Sequence, residues 1–346
     1  MGTDAMRAFV LTGPRTALVQ DLPVPEAARG QVVVDVERAG ICGTDVELFT
    51  GEMTYFADHE AAYPMRIGHE WCGRVSAVGE GVDRRWLGRR VTGDTMLGCG
   101  HCHRCTSGRQ HLCAERYEIG IRRGWPGALA EALPVPAFAL HELPDSIDSP
   151  TGALVEPGGN ALRAARAAGA APNRRILVYG PGTIGLLVAL FALADGAEVH
   201  VVGPTEDSLA LAATLGVHGT WTGTTLPDQP YDAAIDATND PTVPASALAR
   251  IEPGGRIVYI GLANRPSHID SRDLVLKDVT AVGVLSASPG LPGAIERYAS
   301  GAVDPRPLVA ATIGLDQVTD ALRGHRPADA GPGPKIHVDP RQEQRP

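Results

Sequence analysis

The stretch GCGHCHRCTSGRQHLC at 98–113 carries Cys99, Cys102, Cys105 and Cys113 in the spacing C-x2-C-x2-C-x7-C. Four thiolates in one loop can close a tetrahedron around zinc and leave no place for water or substrate. Such a site orders a loop and does no catalysis. An iron–sulfur cluster, whose spacing is matched only loosely, and unligated thiols are the other readings. Cys42 in GICGTD, and His69 with Glu70 in IGHEWCG, are donors that a metal with an open place could use. Each of them alone reads better as a buried cysteine or an ordinary polar pair. His101, His103 and His111 read as exposed members of the cysteine loop, Cys72 as a small core residue, and His59 as a solvated loop histidine.

A second chemistry sits in YGPGTIG, where Gly180, Gly182 and Gly185 have G-x-G-x-x-G spacing. The pattern is informative because an apolar strand precedes it and a helix follows it. The turn and the helix N-terminus, at Thr183, Ile184 and Gly185, would present N–H groups to a pyrophosphate. The next strand ends in VVGPTED, with Gly203 where an acid would bind the ribose 2′-hydroxyl of NAD. Absence of that acid makes room for a 2′-phosphate, to which Thr205 could donate. No cation is near in sequence and Glu206 and Asp207 follow, so the reading leans to NADP with NAD as the alternative.

These residues need elements to hold them. Residues 1–150 are rich in short β-branched runs broken by Gly and Pro, with strands expected at 31–40 and 73–79 and a strand with its exit at 131–144. From about 151 the pattern changes. Helical spacing over 151–169 leads into strands at 174–180, 198–203, 231–238, 255–262 and 279–285, and helices are expected at 183–196 and 206–216. Alternation of this kind predicts a parallel sheet covered on both faces. A final strand is expected at 335–340. The fold class is therefore α/β, a β-rich domain joined to a doubly wound parallel sheet.

A net charge of −9 disfavours nucleic acid or an anionic membrane as partner. Lysine occurs only at Lys277 and Lys335. The start, MGTDAMRAFV, has neither the basic nor the apolar region of a signal peptide, so a cytoplasmic setting with reduced thiols is expected.

Taken in order, GICGTD, GHE, the four-cysteine loop, Glu156-Pro157 and GPGTIG resemble the zinc-dependent medium-chain alcohol and polyol dehydrogenases, in the threonine, sorbitol and glucose dehydrogenase branch. The resemblance covers nearly the whole chain. It implies a GroES-like catalytic domain at 1–155 and 291–346, a Rossmann domain at 156–290, and an active site in the cleft between them. It also implies two zinc ions per chain. Cys42, His69 and Glu156 would bind the catalytic one, Glu70 would join as coordination shifts, and Asp45 would accept a hydrogen bond from His69. Thr44 would carry the substrate proton. Many relatives have a histidine three residues further on, where this chain has Glu47.

The resemblance implies hydride transfer between NAD(P) and a secondary hydroxyl or carbonyl of a polyol, sugar or cyclitol-like substrate, in a homodimer or homotetramer. The alternatives are a zinc-free quinone or enone reductase on the same scaffold and a non-catalytic cofactor-binding relative. The joint presence of Cys42, His69 and Glu156 counts against the first, and retention of Thr44 and the ligands against the second.

Overall fold

The computed structural model describes residues 5–342. Two compact units divide the chain. The first holds the residues through Glu156, Val309–Gly331 and the chain from Lys335 onward, and the second holds Pro157–Leu308 with Pro332–Pro334.

In the first unit the strand Gln31–Gly40 is the hub. Its valines are buried at Val32, Val33, Val34 and Val36, and it pairs antiparallel with Glu70–Val78, Ala132–Pro136 and Lys335–Val338. These belong to a seven-stranded sheet that also contains Leu140–Glu142, Arg90–Gly93 and Val309–Ile313. Residues 131–144, expected as a strand and its exit, hold the strand Ala132–Pro136 and, after a tight turn at Ala137–Ala139, a second short strand, Leu140–Glu142. Pro136 has no N–H to continue a ladder. A hairpin that the sequence reading did not find, Ala5–Gly13 with Thr16–Pro23, pairs with Met65–Arg66. The main core gathers Phe9, Leu11, Val34, Phe49, Ile67, Trp71 and Leu133.

The second unit is a six-stranded sheet in which every pairing is parallel. Its order is Gly219–Thr222, Glu198–Gly203, Arg175–Tyr179, Tyr231–Asp236, Ile251–Tyr259, Thr280–Gly283. In chain order that is 3-2-1-4-5-6, the doubly wound arrangement whose ligands bind beyond the carboxyl ends of the strands. Burial on both faces explains unbroken runs such as Ile176–Tyr179. Strand Gly219–Thr222 is half-buried and short, which left it without a sequence signal.

Residues 291–308 group with this second unit, whereas the sequence led to an expectation that 291–346 would go with the first. The amphipathic helix Leu291–Ala299 needs an apolar partner and finds it here. Tyr298 stacks on Phe191 with centroids 5.8 Å apart, and its hydroxyl lies 2.2 Å from where a Cβ on Gly158 would stand. Among the described residues no helix is long and apolar enough to cross a membrane.

Candidate active site and metal centres

The four clustered cysteines converge. Sulfur–sulfur distances are 3.5 Å for Cys102–Cys105, 3.8 Å for Cys102–Cys113 and 3.9 Å for Cys99–Cys105. Zinc–sulfur bonds of about 2.3 Å in a tetrahedron put sulfurs about 3.8 Å apart, so the donor set fits zinc. Hydrogen bonds from the backbone of His101 and Cys102 pull the Cys99 thiol down to about 6, whereas burial and the neighbouring sulfurs push Cys105 up to about 12. Four sulfurs this close are the donor set a dication would hold. The loop has little else to order it. Residues 99–110 are exposed or half-buried, and burial resumes at His111, contrary to the exposed position expected of it. His101 and His103 are exposed as expected, and so is His59. Cys72 is fully buried and donates its thiol to the Ser149 carbonyl.

A second donor group joins residues distant in sequence. Cys42 precedes the helix Gly43–Thr50, and His69 and Glu70 enter the strand Glu70–Val78. The Cys42 sulfur, a His69 nitrogen and a Glu70 oxygen all lie within 4.8 Å of one another. Glu156 is buried but is not in this close group. His69 Nδ1 is buried without a hydrogen-bond partner. Burial opposes protonation of this imidazole, yet the negative charge of Cys42 and Asp45 holds it well above its ordinary range. That unmet demand for positive charge, amid thiol, imidazole and carboxylate, is what a zinc ion satisfies.

Asp45 does more than the sequence suggested. Its Oδ2 accepts from the Cys42 N–H at 2.9 Å and its Oδ1 accepts from the Gly68 N–H at 3.1 Å. One buried carboxylate therefore fixes the backbone beside both metal donors. Its distance to His69 Nδ1 is 3.7 Å, an ion-pair separation rather than the expected hydrogen bond. Thr44 and Glu47 stand three apart on the same helix and so share a face. Partial burial, and then repulsion from Glu52, push the Glu47 carboxyl up.

Two functional neighbours escaped the sequence reading. Lys335, at the start of the last strand, donates to both oxygens of Glu70 and to the Ile41 carbonyl. Burial works against its charge, but Glu70 and Cys42 prevail and its pKa is raised. Gly40 lies beneath Glu70. The signal available was that Lys335 is one of only two lysines and heads a β-branched strand, KIHV.

In the second unit the three glycines of the turn have three different reasons. Gly180 has φ of 99°, and a Cβ there would stand 2.8 Å from the Ala237 carbonyl. A Cβ on Gly185 would stand 1.8 Å from the Gly180 carbonyl, so the helix can meet the strand only with glycine there. Gly182 faces open space, with nothing within 4 Å of a Cβ. The protein itself does not need that glycine, and a closely approaching ligand would. Gly182 caps the helix Thr183–Ala194 without a side-chain hydrogen bond, which leaves the N–H groups of its first turn for an anion. At Gly203 a Cβ would lie 2.8 Å from Ser208 Oγ and 2.9 Å from Leu209 Cγ. A side chain there would crowd Ser208 and Leu209. Thr205 caps the following helix by accepting from the Ser208 N–H.

Residues 28–145 match the alcohol dehydrogenase GroES-like domain family, and residues 183–300 match the zinc-binding dehydrogenase family. An L-threonine 3-dehydrogenase of Coxiella burnetii is 30% identical over 273 residues, covering 76% of this chain and 78% of its own. The chain belongs to the zinc-binding medium-chain dehydrogenase family. Two solved structures superpose on the dehydrogenase with a TM-score of 0.88. One, an alcohol dehydrogenase from Escherichia coli CFT073 complexed with NADH, is 25% identical and covers 98% of this chain and 100% of its own. The other, a zinc-binding dehydrogenase from Sinorhizobium meliloti 1021 bound to NADP, is 27% identical and covers 97% of this chain and 100% of its own. The dehydrogenase pairs a GroES-like domain with a Rossmann-like one and is a zinc-containing, NAD(P)-dependent enzyme of the alcohol dehydrogenase type. The zinc-free and non-catalytic readings are set aside.

Proposed function

We propose that this dehydrogenase transfers hydride between NADP and a secondary hydroxyl, or the corresponding ketone, of a polyol, sugar or cyclitol. The observation that carries the reading is the donor group of Cys42 and His69 with the carboxylate of Glu70. The 51–66 segment, which we take to line the substrate site, packs Met53, Phe56 and Tyr63 on the core and carries polar ties from Glu60 to Arg123 and from the Tyr55 hydroxyl to buried Glu118. The threonine dehydrogenase relative supports a secondary alcohol, since position 3 of threonine bears one.

Zinc, when bound, supplies the Lewis acidity that lets an alcohol lose its proton near neutral pH, and the nicotinamide takes the hydride. Cys42, His69 and Glu156 would hold that metal, while Asp45 keeps the Cys42 and His69 backbones in register. Thr44 receives the alcohol proton at its hydroxyl and passes it toward Glu47, whose raised pKa makes it a better base near neutrality. The turn at Gly180–Gly185 seats the pyrophosphate, with N–H groups of Thr183, Ile184 and Gly185 turned to it. The absence of an acid at Gly203 favours NADP, and Thr205, accepting from the Ser208 N–H, keeps its own hydrogen for a phosphate oxygen.

Assembly as a homodimer or homotetramer is supported by strand Thr280–Gly283. It ends the sheet with an outer edge unpaired among the described residues, and exposed Leu276 and Leu285 flank it in sequence. Light scattering that found a monomer would refute this. The function is tested by following reduced-nicotinamide absorbance with NADP⁺ and NAD⁺ across polyols, aldoses, cyclitols and simple primary alcohols. Turnover of a polyhydroxylated compound, faster with NADP⁺, is the expected result. Turnover confined to simple primary alcohols, or to NAD⁺, refutes the substrate or the cofactor assignment respectively.

A further inference from the structure

On the reading above the catalytic metal has four candidate protein donors: Cys42, His69 and Glu70, which converge, and Glu156, which lies outside that close group. Four would complete a tetrahedron and close it, whereas a zinc that binds substrate must keep a place open. Something must hold one donor back. Glu70 is the donor with a competing claim on it. Lys335 Nζ lies 2.9 Å from its Oε1 and 2.6 Å from its Oε2, with both side chains nearly inaccessible, at 3% and 2% exposure. The third N–H of the ammonium goes to the Ile41 carbonyl at 2.8 Å, so every donor on Lys335 is used and its position is fixed.

The backbone is shaped for this arrangement. Gly40 pairs with Glu70 across the sheet, and a Cβ on Gly40 would stand 2.1 Å from Glu70 Oε2. The missing side chain is the channel through which Glu70 lies back toward the last strand. The same strand is tied to the residue before Cys42 twice, because the Ile41 N–H donates to the Ile336 carbonyl at 3.0 Å and the Ile41 carbonyl accepts from Lys335.

We propose that Lys335 is a positioning residue that holds the Glu70 carboxylate off the metal, over Gly40, and so reserves a coordination place for the substrate oxygen. This rests on the catalytic-metal reading given above. A buried carboxylate stripped of its cation is strongly unfavourable. Removing Lys335 therefore leaves the metal as the nearest cation, and Glu70 moves onto it.

The test compares wild-type protein with Lys335→Met, Glu70→Gln and the double variant, each loaded with zinc or cobalt. Zinc release to an excess of chelator should slow at least ~10-fold in Lys335→Met, about 1.4 kcal/mol of added barrier. The cobalt protein should show a changed d–d spectrum, and the KM for alcohol should rise more than kcat falls. The double variant should return release and spectrum to wild type. Glu70→Gln alone should release zinc at the wild-type rate, since Glu70 is not a ligand while Lys335 holds it. Unchanged or faster release in Lys335→Met with an unchanged cobalt spectrum overturns the proposal. If Lys335→Met does not fold, ~10-fold faster release in Glu70→Gln overturns it equally, because Glu70 would then be a ligand already. Failure of the underlying reading looks different: Cys42→Ser would keep the wild-type zinc content.

Discussion

The four-cysteine loop allows a prediction from geometry. Cys105→Ser removes one vertex of a tetrahedron whose measured edges are 3.5–3.9 Å. Ordering a residue costs roughly 1–2 kcal/mol of backbone entropy, and residues 99–110 contain no buried side chain to offset that. Metal binding is therefore what keeps this segment ordered, as in small zinc-folded domains where the ion contributes about 10–16 kcal/mol. The rest of the first unit does not depend on it. Its core is built from Phe9, Val34, Trp71, Leu133 and their neighbours. One tie of the loop to that body is Gln110 Nε2 donating to Asp94 Oδ2 at 2.9 Å. Loss of a hydrogen bond to a charged group costs about 1.5–3 kcal/mol, which for a unit of this size lowers Tm by roughly 3–12 °C. Cys105→Ser should accordingly drop zinc content from two ions per chain to one. Amide exchange between His101 and Leu112 should rise to nearly unprotected rates while the hub strand Gln31–Gly40 stays protected. Elemental analysis and hydrogen-exchange mass spectrometry read both outcomes. Two zinc ions with full loop protection would refute the ligand assignment. Cooperative unfolding of the whole unit would refute the claim that the loop is separable.

Other outcomes follow from the same reasoning. Cys42→Ser should also lose one zinc ion, abolish turnover and leave NADPH binding intact, as judged by cofactor fluorescence. Gly182→Ala should change stability by no more than about 0.5 kcal/mol, because its Cβ meets nothing, yet weaken the dinucleotide at least ~10-fold. Gly185→Ala should instead destabilise the fold by about 1–3 kcal/mol or more, since its Cβ meets a backbone carbonyl, so denaturant melts separate the two glycines. Arg123 and Arg122 hold the Glu60 carboxyl down to about 2 from an ordinary 4.5. A depressed carboxylate pKa stabilises the fold above the unfolded value and loses that contribution as pH falls. The Tm advantage of wild type over Glu60→Gln should thus be constant above about pH 4.5 and vanish toward pH 2. An advantage that grows on acidification would contradict the ion pair.

What the amino-acid sequence determined by itself was local. The cysteine spacing, the glycine turn between an apolar strand and a helix, and the missing acid at Gly203 are patterns within a few residues, where chain geometry limits the conformations available. The parallel sheet was legible for the same reason, since strands buried on both faces read as unbroken apolar runs. The tertiary structure decided what depends on distant residues. Cys42 and His69 look ordinary in sequence and become a site only because Asp45 binds the backbone beside each of them. Glu70 meets Lys335 across 265 positions of chain. Gly40 reads as a strand-end glycine until a carboxylate is found lying over it. Residues 291–308 joined the second unit because Tyr298 found Phe191, a contact no periodicity encodes. Spacing along a chain constrains neighbours within a turn or a strand pair. Partners brought together by sheet pairing and side-chain burial are specified by the packed fold as a whole.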